Sequence, residues 1–372
     1  MEAQTASAGS LFNLEIPWHV AAGHVSLPSL KIEAREEIFP LDHPFLISRG
    51  SRTEAQVVVV TITDGEHVGR GECVPIKRYK QTSESVLAQI ESVRAVRDLD
   101  RSKLQQLLLP GAARNALDCA LWDLEAKRSG KRAWELANIP MVDHVKTSIT
   151  ISLDTPEKMA ASAVAIGTDA GKIKEGGSQH RSRRLESRRS LKLKLGGDDD
   201  DLARVQGVRA AAPKARLFVD ANESWSPHHY RNMVPALKEL EVELIEQPFP
   251  ADADDVLETL DHPIAVYADE SCHTTADLSR LKNRYEAINI KLDKTGGLTE
   301  GLNLYQRGRE HNFKILVGCM VCTSLSIAPA RILASNANWV DLDGPLLLAR
   351  DRDHGVSYLN GKIGMPARDL WG

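Results

Sequence analysis

One pattern repeats between residues 191 and 292 and decides the fold: LKLKL (191–195), LFVD (217–220), VELIE (242–246), IAVYAD (264–269) and AINIKL (287–292). Each run is short, apolar or β-branched, and has a charged side chain at or beside its end, which is typical of a buried parallel strand. Three further runs extend the series: VKTSITIS (145–152), KILVG (314–318) and WVDLD (339–343). Helical segments such as 201–211 and 230–240 separate most of the runs. Eight strands alternating with helices predict a closed parallel α/β barrel of the TIM type.

An open doubly wound sheet is the alternative, but no glycine-rich phosphate-binding fingerprint follows any of these strands. The chain before the barrel has a different pattern. Residues 32–39, 55–63 and 68–74 predict three antiparallel strands, and residues 83–94 and 112–127 show helical periodicity. The sequence therefore predicts an α+β domain ahead of the barrel.

The predicted domain boundaries follow these changes of pattern: 1–27 for a poorly structured extension, 28–140 for the α+β domain, 141–354 for the barrel and 355–372 for a C-terminal segment that returns to the α+β domain. Residues 172–190 form a basic insertion in the barrel. A solvated loop is the favoured interpretation, because aromatic residues for base stacking are missing. If the insertion shifted the next strand by one residue, Lys192 and Lys194 would turn away from the barrel mouth.

The composition excludes several classes of protein. With 372 residues, 42% of them hydrophobic, and a net charge of −4, the chain has enough apolar material for a large core and no global charge that favours nucleic acid or an anionic membrane. No apolar run approaches the roughly 18 residues needed to span a bilayer. The first ten residues lack the pattern of a secretory signal, so we expect a cytoplasmic protein. The five cysteines favour reduced thiols, and the Cys319 and Cys322 pair is a weak redox or metal candidate because no second ligand pair accompanies it.

Charged side chains stand where the predicted strands end: Lys194, Asp220, Glu246, Asp269, Lys291, Asp341 and Asp343. In a parallel barrel all these ends meet at one mouth, although the residues from Lys194 to Lys291 are each about one strand–helix unit apart and Asp341 lies two such units after Lys291. Any one acid could simply cap the following helix. Three carboxylates on successive strands would instead raise one another's pKa, so a hard divalent cation is their natural partner, and oxygen ligands favour magnesium.

The two lysines flank the three carboxylates in the sequence, so we expect them on opposite sides of the cation. The sixth strand offers both Lys291 and Lys294. Alternation turns Asn289 and Lys291 into the barrel, whereas Lys294 lies beyond the strand and is expected to be solvated. Two bases on opposite sides of a bound carboxylate suit removal of an α-proton and its return to the other face. Cationic neighbours and partial burial are expected to lower the pKa of such a lysine.

Several longer motifs resemble the dipeptide epimerases of the enolase superfamily, in the subgroup similar to muconate lactonizing enzyme: PGAARNALDCALWDLEA (110–126), VDANESW (219–225), IEQP (245–248), ADESCHT (268–274), NIKLDKTGGLTE (289–300), GCMVCTS (318–324) and DLDGP (341–345). The resemblance covers about residues 30–370. It implies an α+β capping domain over a modified (β/α)7β barrel, one magnesium ion per subunit, and 1,1-proton transfer. The implied reaction is epimerisation of L-Ala-D-Glu to L-Ala-L-Glu, which serves cell-wall (murein) peptide metabolism.

The resemblance also implies roles for individual residues. Asp220, Glu246 and Asp269 would ligate magnesium, and Lys194 and Lys291 would form the acid/base pair. Asp341 and Asp343 alternate with Leu342, so both could hold the α-ammonium group of a dipeptide. Residues 44–52 (PFLISRGSR) resemble the mobile cap loop, and Arg49 and Arg52 are candidates to pair with the glutamate side chain. The other candidate substrate-binding residues are Lys192, Thr150, Cys319 and Met320.

Three alternatives stay open at this point. The substrate could be another dipeptide, or the reaction could be cycloisomerisation or dehydration, although such substrates lack an ammonium group for Asp341 and Asp343. A third class is an inactive homologue whose basic insertion binds an anionic partner. The expected partner is a small dipeptide, without nucleic acid or membrane, and a homo-oligomer is compatible with the sequence.

Overall fold

The structure, a computed structural model, describes residues 30–168 and 189–372. The predicted extension (1–27) and nearly all of the basic insertion (172–188) lie outside the described residues. The first described unit is the cap, and its elements are β1 (Lys31–Ile47), β2 (Gly50–Thr63), β3 (Val68–Cys73), α1 (Ser83–Val93), α2 (Arg101–Leu107), α3 (Ala112–Ser129) and α4 (Ala133–Leu136). Its three strands pair as an antiparallel meander, and α1 begins with a capping box of Thr82 and Ser85. The α+β character predicted for this unit is confirmed.

The second unit is the barrel. Its elements are β4 (Val145–Lys146), β5 (Ser148–Ile151), α5 (Pro156–Thr168), β6 (Ser190–Lys194), α6 (Asp201–Ala211), β7 (Arg216–Asp220), α7 (Pro227–Glu239), β8 (Val242–Glu246), β9 (Ala265–Ala268), α8 (Leu278–Leu281), β10 (Ala287–Ile290), α9 (Leu292–Thr295), α10 (Leu298–Glu310), β11 (Lys314–Gly318), α11 (Ser324–Ala334), β12 (Trp339–Asp341), β13 (Tyr358–Leu359) and β14 (Lys362–Ile363). Strands β5 to β12 form one parallel sheet in chain order. After β12 the chain enters a 3-10 helix (Gly344–Leu347), as expected for a (β/α)7β barrel. Within the two described ranges, no helix is both long enough and apolar enough to cross a membrane.

The first predicted barrel strand, residues 145–152, was too long. Only β5 belongs to the barrel, because β4 pairs antiparallel with β14 in a separate small sheet. The two edge strands of the barrel, β5 and β12, meet through side chains. Ser148 Oγ donates to Asp341 Oδ1 at 2.5 Å, and the Thr150 amide donates to Asp343 Oδ2 at 2.6 Å. The last strand is shorter than the predicted 339–343, so Asp341 ends it and Asp343 follows it, and both aspartates help to close the barrel.

The strand that follows the basic insertion is in the register that the site needs. Lys192 pairs with Phe218 and Lys194 pairs with Asp220 across β6 and β7. Both lysine side chains are buried, with relative exposures of 2% and 7%. The considered one-residue shift, which would turn both lysines away from the mouth, does not occur.

An apolar layer fills the barrel beneath its charged mouth. It consists of Phe218, Leu244, Tyr267, Ala287 and Leu316, one from each of five neighbouring strands. In β7 to β9 the layer residue precedes the strand-end carboxylate by two positions, so both point to the barrel interior. The carboxylates therefore lie above a layer of apolar side chains, where charges are poorly screened.

Buried acidic side chains dock the cap on the barrel. Asp293 of α9 accepts from the Val74 amide at 2.9 Å and from Asn115 Nδ2 at 2.8 Å, both in the cap. Asp293 is only 3% exposed, and burial raises its pKa from 3.8 to about 7. Because the folded chain binds this proton more tightly, the contribution of Asp293 to stability is present below pH 3.8 and is lost as the pH rises through about 7.

We expect Asp293→Asn to flatten the dependence of stability on pH. A tenfold difference in proton affinity between the folded and unfolded chain corresponds to about 1.4 kcal/mol. Between pH 4 and pH 8, the free energy of unfolding of the wild type should therefore fall by up to about 4 kcal/mol relative to that of the variant. Urea unfolding at several pH values measures this difference. The exposed Asp353→Asn is the matched control, and parallel stability curves for wild type and Asp293→Asn would contradict the assignment.

Candidate active site

The barrel mouth holds a row of buried charges on five consecutive strand ends: Lys194, Asp220, Glu246, Asp269 and Lys291. Lys194 Nζ lies 2.6 Å from Asp220 Oδ2 at one end of the row. Lys291 Nζ lies 2.6 Å from Asp269 Oδ2 at the other end. The predicted convergence is confirmed by these contacts, and the two lysines flank the carboxylates from opposite sides.

Glu246 occupies the centre of the row. Its carboxylate accepts from Asn289 Nδ2 at 2.8 Å and from the Tyr267 hydroxyl at 3.0 Å. Lys192, which points up from β6, contacts Glu246 and lies 3.2 Å from Asp220 Oδ2 and 2.7 Å from Asp341 Oδ2. One ammonium group therefore links the centre of the row to the last barrel strand.

The three carboxylates differ in proton affinity. Burial, together with the Asp220 and Asp269 charges, raises the pKa of Glu246 from 4.5 to about 8. Burial acts in the same direction on Asp220 and Asp269, but their lysine partners outweigh it and lower the pKa of both groups. The centre of the row is therefore the place where positive charge is most lacking.

The expected lowering of a lysine pKa is wrong for this arrangement. Burial alone would lower the pKa of Lys291, but the Asp269 and Glu246 carboxylates outweigh burial and raise it. Lys192 behaves in the same way through Asp341, Glu246 and Asp220. Both ammonium groups hold their protons for as long as these ion pairs persist.

The prediction that Lys294 is solvated is also wrong. Lys294 is 1% exposed, and its Nζ donates to Asp269 Oδ1 at 2.6 Å and to the Asn289 carbonyl at 2.9 Å. The physical reason is α9, a single helical turn that folds back under the strand end and carries Lys294 inward. Lys294 reaches the opposite carboxylate oxygen from Lys291, so Lys291 is the one that continues the row.

Residues 44–52 were expected to be a loop, but most of them extend β1 and β2 into a hairpin that turns at Ser48 and Arg49. Arg49 is already paired: it lies 2.6 Å from Glu270 Oε1 and 3.0 Å from Glu223 Oε2. Arg52 is exposed and faces Phe45 in the hairpin, and within the described chain its side chain makes no hydrogen bond or ion pair. The structure therefore favours Arg52 over Arg49 as the arginine available to a ligand.

The other predicted site residues lie around the same mouth. Asp341 and Asp343 are both buried, and burial beside Asp341 raises the pKa of Asp343 to about 6. Thr150 is held by its backbone contact with Asp343. Cys319 and Met320 follow β11 and are half-buried, whereas Cys322 is fully buried.

Sequence reasoning missed several polar residues of the site: Asn222, Tyr267, Glu270 and the hydrogen bond from Asn289 to Glu246. Alternation did turn Asn289 inward, and the same argument finds Tyr267, which lies two residues before Asp269 on β9. Asn222 and Glu270 follow strand ends, where no periodicity applies. Their buried oxygens Asn222 Oδ1 and Glu270 Oε2, together with Asn289 Oδ1, have no hydrogen-bond partner within the described residues.

The residues of the row fit a hard divalent cation in their chemistry. Among the described residues, no three Asp, Glu, His or Cys side chains lie close enough together to hold a metal ion. Asp220 and Asp269 are instead paired with Lys194 and Lys291. Asp220 and Glu246 nevertheless lie in register on adjacent strands, and buried oxygens near the row lack partners. All of these donors are oxygens, the ligands that magnesium prefers.

Comparison with known proteins places this fold and site in a family. Residues 30–137 match the family described as "Mandelate racemase / muconate lactonizing enzyme, N-terminal domain", and residues 175–368 match "Enolase C-terminal domain-like". The chain belongs to the mandelate racemase and muconate lactonizing enzyme branch of the enolase superfamily.

Relatives at high coverage are enzymes that invert a stereocentre. The chain is 43% identical to the L-Ala-D/L-Glu epimerase of Escherichia coli (strain K12), over 89% of this chain and 98% of that protein. It is 41% identical to an N-acetyl-D-glutamate racemase from a Pseudoalteromonas species, over 85% and 95%.

Two solved structures are similar to this chain over nearly its full length. An enolase family member from Agrobacterium tumefaciens with homology to dipeptide epimerases, bound to sodium and L-Ala-L-Glu, has a TM-score of 0.85 at 46% identity over 92% of this chain and all of that chain. A dipeptide epimerase from Enterococcus faecalis V583, complexed with Mg and L-Leu-L-Tyr, has a TM-score of 0.81 at 27% identity over 92% and 99%.

Gly318 sets the space available to Asn289 and hence to Glu246. A methyl group at position 318 would lie 2.6 Å from Asn289 Oδ1, inside the packed barrel. We expect Gly318→Ala to destabilise the chain by about 1 to 3 kcal/mol in urea unfolding. The penalty should shrink when Asn289→Ala is added, because the two sites share the space.

Gly167→Ala is the matched control, since a methyl group there meets no atom of the described residues within 4 Å. A full penalty for Gly318→Ala in the Asn289→Ala background would contradict this account of the barrel interior.

Proposed function

We propose that the protein is a magnesium-dependent dipeptide epimerase that moves a proton at the α-carbon of the C-terminal residue and interconverts L-Ala-D-Glu and L-Ala-L-Glu. The observation that carries the proposal is the row of carboxylates with a lysine at each end. The relatives named above support the substrate class. Such an activity would serve the use of murein peptides.

Asp220, Glu246 and Asp269 are the residues that would hold the cation, one per subunit. Magnesium, when bound there, would offset the negative charge that develops on the substrate carboxylate as the α-proton leaves. The Tyr267 hydroxyl donates to Glu246 Oε2 at 3.0 Å, and Asn289 Nδ2 donates to Glu246 Oε1 at 2.8 Å. These contacts keep the central ligand fixed on the barrel floor.

Lys194 and Lys291 would act as the two bases. In this structure their ammonium groups pair with Asp220 and Asp269. If these carboxylates held a cation, both lysines would be released from their ion pairs and could turn towards the substrate α-carbon. One lysine can then take the α-proton from one face while the other donates a proton to the opposite face.

The substrate's two ends meet different charges. Asp341 at the end of the last barrel strand and Asp343 just after it would present carboxylates to the dipeptide ammonium group. Arg52, which has no partner within the described chain, would take the glutamate side chain, since guanidinium matches carboxylate geometry. Arg49 does not serve this purpose, because Glu270 and Glu223 already hold it.

Replacement of either base should slow epimerisation strongly and show which face of the substrate α-carbon each lysine serves. We expect Lys194→Ala and Lys291→Ala each to lose about 10²- to 10⁴-fold in epimerisation rate. Each variant should still exchange the α-proton of one epimer, because the other base is intact. Proton NMR of both epimers in deuterated buffer with magnesium measures exchange and epimerisation together.

The exposed Lys282→Ala is the matched control for a lost lysine outside the mouth. Epimerisation at close to the wild-type rate in both Lys194→Ala and Lys291→Ala would exclude the two-base proposal.

Racemisation of N-acetylglutamate is the second candidate, because a racemase of that substrate is nearly as similar to this chain as the dipeptide epimerase. Both substrates are glutamates acylated on nitrogen, and the dipeptide adds an ammonium group. The buried pair of Asp341 and Asp343 favours the dipeptide, since it gives the ammonium group a charged partner.

Asp341→Asn distinguishes the two substrates. If the dipeptide ammonium group uses Asp341, the variant should lose about 10- to 100-fold in kcat/KM for L-Ala-D-Glu, as for a charged hydrogen bond. Turnover of N-acetyl-D-glutamate should change less. Wild-type preference for N-acetyl-D-glutamate, or equal losses on both substrates, would favour the second candidate.

A further inference from the structure

The tip of the cap hairpin contacts the two loops that follow the first and third carboxylates of the row. Arg49 Nη1 donates to the Asn222 carbonyl at 2.6 Å, and Nη2 donates to Glu270 Oε1 at 2.6 Å. Ser48 Oγ donates to the same Asn222 carbonyl at 3.2 Å. One cap side chain therefore bridges two separate loops of the barrel mouth.

Both loop residues are adjacent to proposed cation ligands. Asn222 lies two residues after Asp220, and its amide donates to Asp220 Oδ1 at 2.9 Å. Glu270 follows Asp269 directly. Asn222 and Glu223 have positive φ angles of 46° and 67°, a region that non-glycine residues adopt only when their surroundings hold them. Arg49 contacts both residues and supplies part of that restraint.

Each loop residue carries a buried oxygen without a partner. Asn222 is 4% exposed and Glu270 is 5% exposed, and within the described residues nothing donates to Asn222 Oδ1 or Glu270 Oε2. A buried acceptor left unsatisfied costs about 1 to 3 kcal/mol. Magnesium keeps several of its water molecules when it binds to protein carboxylates, and those waters need acceptors. The two free oxygens lie in the residues next to the carboxylates that would hold the ion.

We propose that Arg49 is a positioning residue for the metal centre: it holds Asn222 and Glu270 so that their free oxygens accept hydrogen bonds from water bound to magnesium. The inference rests on the proposed magnesium site. It makes the cap hairpin and the metal centre thermodynamically coupled, because binding at one strengthens the other by the same factor.

The direction in which magnesium affinity changes on removal of Arg49 distinguishes a positioning role from a simple effect of its charge. Arg49 is a cation close to a cation site, so its removal would on charge alone raise the affinity for magnesium. Loss of an outer contact to metal ligands typically lowers metal affinity by about 10- to 100-fold. We therefore expect Arg49→Ala to bind magnesium about 10- to 100-fold more weakly than the wild type.

The test is calorimetric titration of the full chain with magnesium chloride, without substrate. Arg52→Ala is the matched control, because it removes the same charge three residues away on the same hairpin, and it should not weaken magnesium binding. Arg49→Lys keeps the charge but cannot form the same planar fork, so an intermediate loss is expected. It carries the test if Arg49→Ala is poorly folded by circular dichroism. Hydrogen exchange of residues 45–52 should slow with magnesium in the wild type and not in Arg49→Ala.

Unchanged or tighter magnesium binding in Arg49→Ala would overturn the inference, as would an equal loss in Arg52→Ala. A wild-type chain that does not bind magnesium would instead overturn the proposed function. The two failures are distinguishable because only the wild type reports on the second.

Discussion

Three carboxylates of like charge are buried on adjacent parallel strands, and the rest of the mouth is arranged to neutralise them. The register of the sheet sets Asp220 beside Glu246, so their separation cannot increase without breaking the barrel. Buried charges without partners are costly. The lysines of β6 and of the chain after β10 meet this cost, which is why their long side chains point inward and not to solvent.

The charges of the three carboxylates are not neutralised equally, and this difference matters for the chemistry of the site. The outer carboxylates, Asp220 and Asp269, each have a lysine at 2.6 Å, whereas Glu246 shares Lys192 and otherwise contacts neutral donors. A divalent cation held by all three groups would supply the charge that the centre lacks. It would also release the outer lysines from their ion pairs. In the proposed function, cation binding and the availability of the two proposed bases would therefore be linked through the same two carboxylates.

Strand ends and strand alternation explain why so much of the site could be read from the sequence. The common mouth of a parallel barrel brought Asp220 and Glu246 together, and a period of two turned Asn289 and Lys291 inward. The errors fall where no period applies. Lys294 lies on a one-turn helix whose direction depends on packing, and the partners of Arg49 are 173 to 221 residues away in the chain. The same limit applies to β4, whose partner strand β14 comes near the C-terminus.

The cap is attached to the barrel in two different ways. At its base the cap docks through buried groups, such as Asp293 with Val74 and Asn115, and Trp122 Nε1 with Thr299 at 3.0 Å. At its tip it docks through Arg49, whose side chain is one-third exposed, and through Leu46, whose amide donates to Ser152 Oγ at 2.7 Å. Partly exposed ion pairs are individually weak. The ion pairs of Arg49 therefore hold the tip less firmly than the buried groups hold the base. Because Arg49 contacts the residues beside two of the carboxylates, the tip of the cap forms part of the surroundings of the proposed cation site.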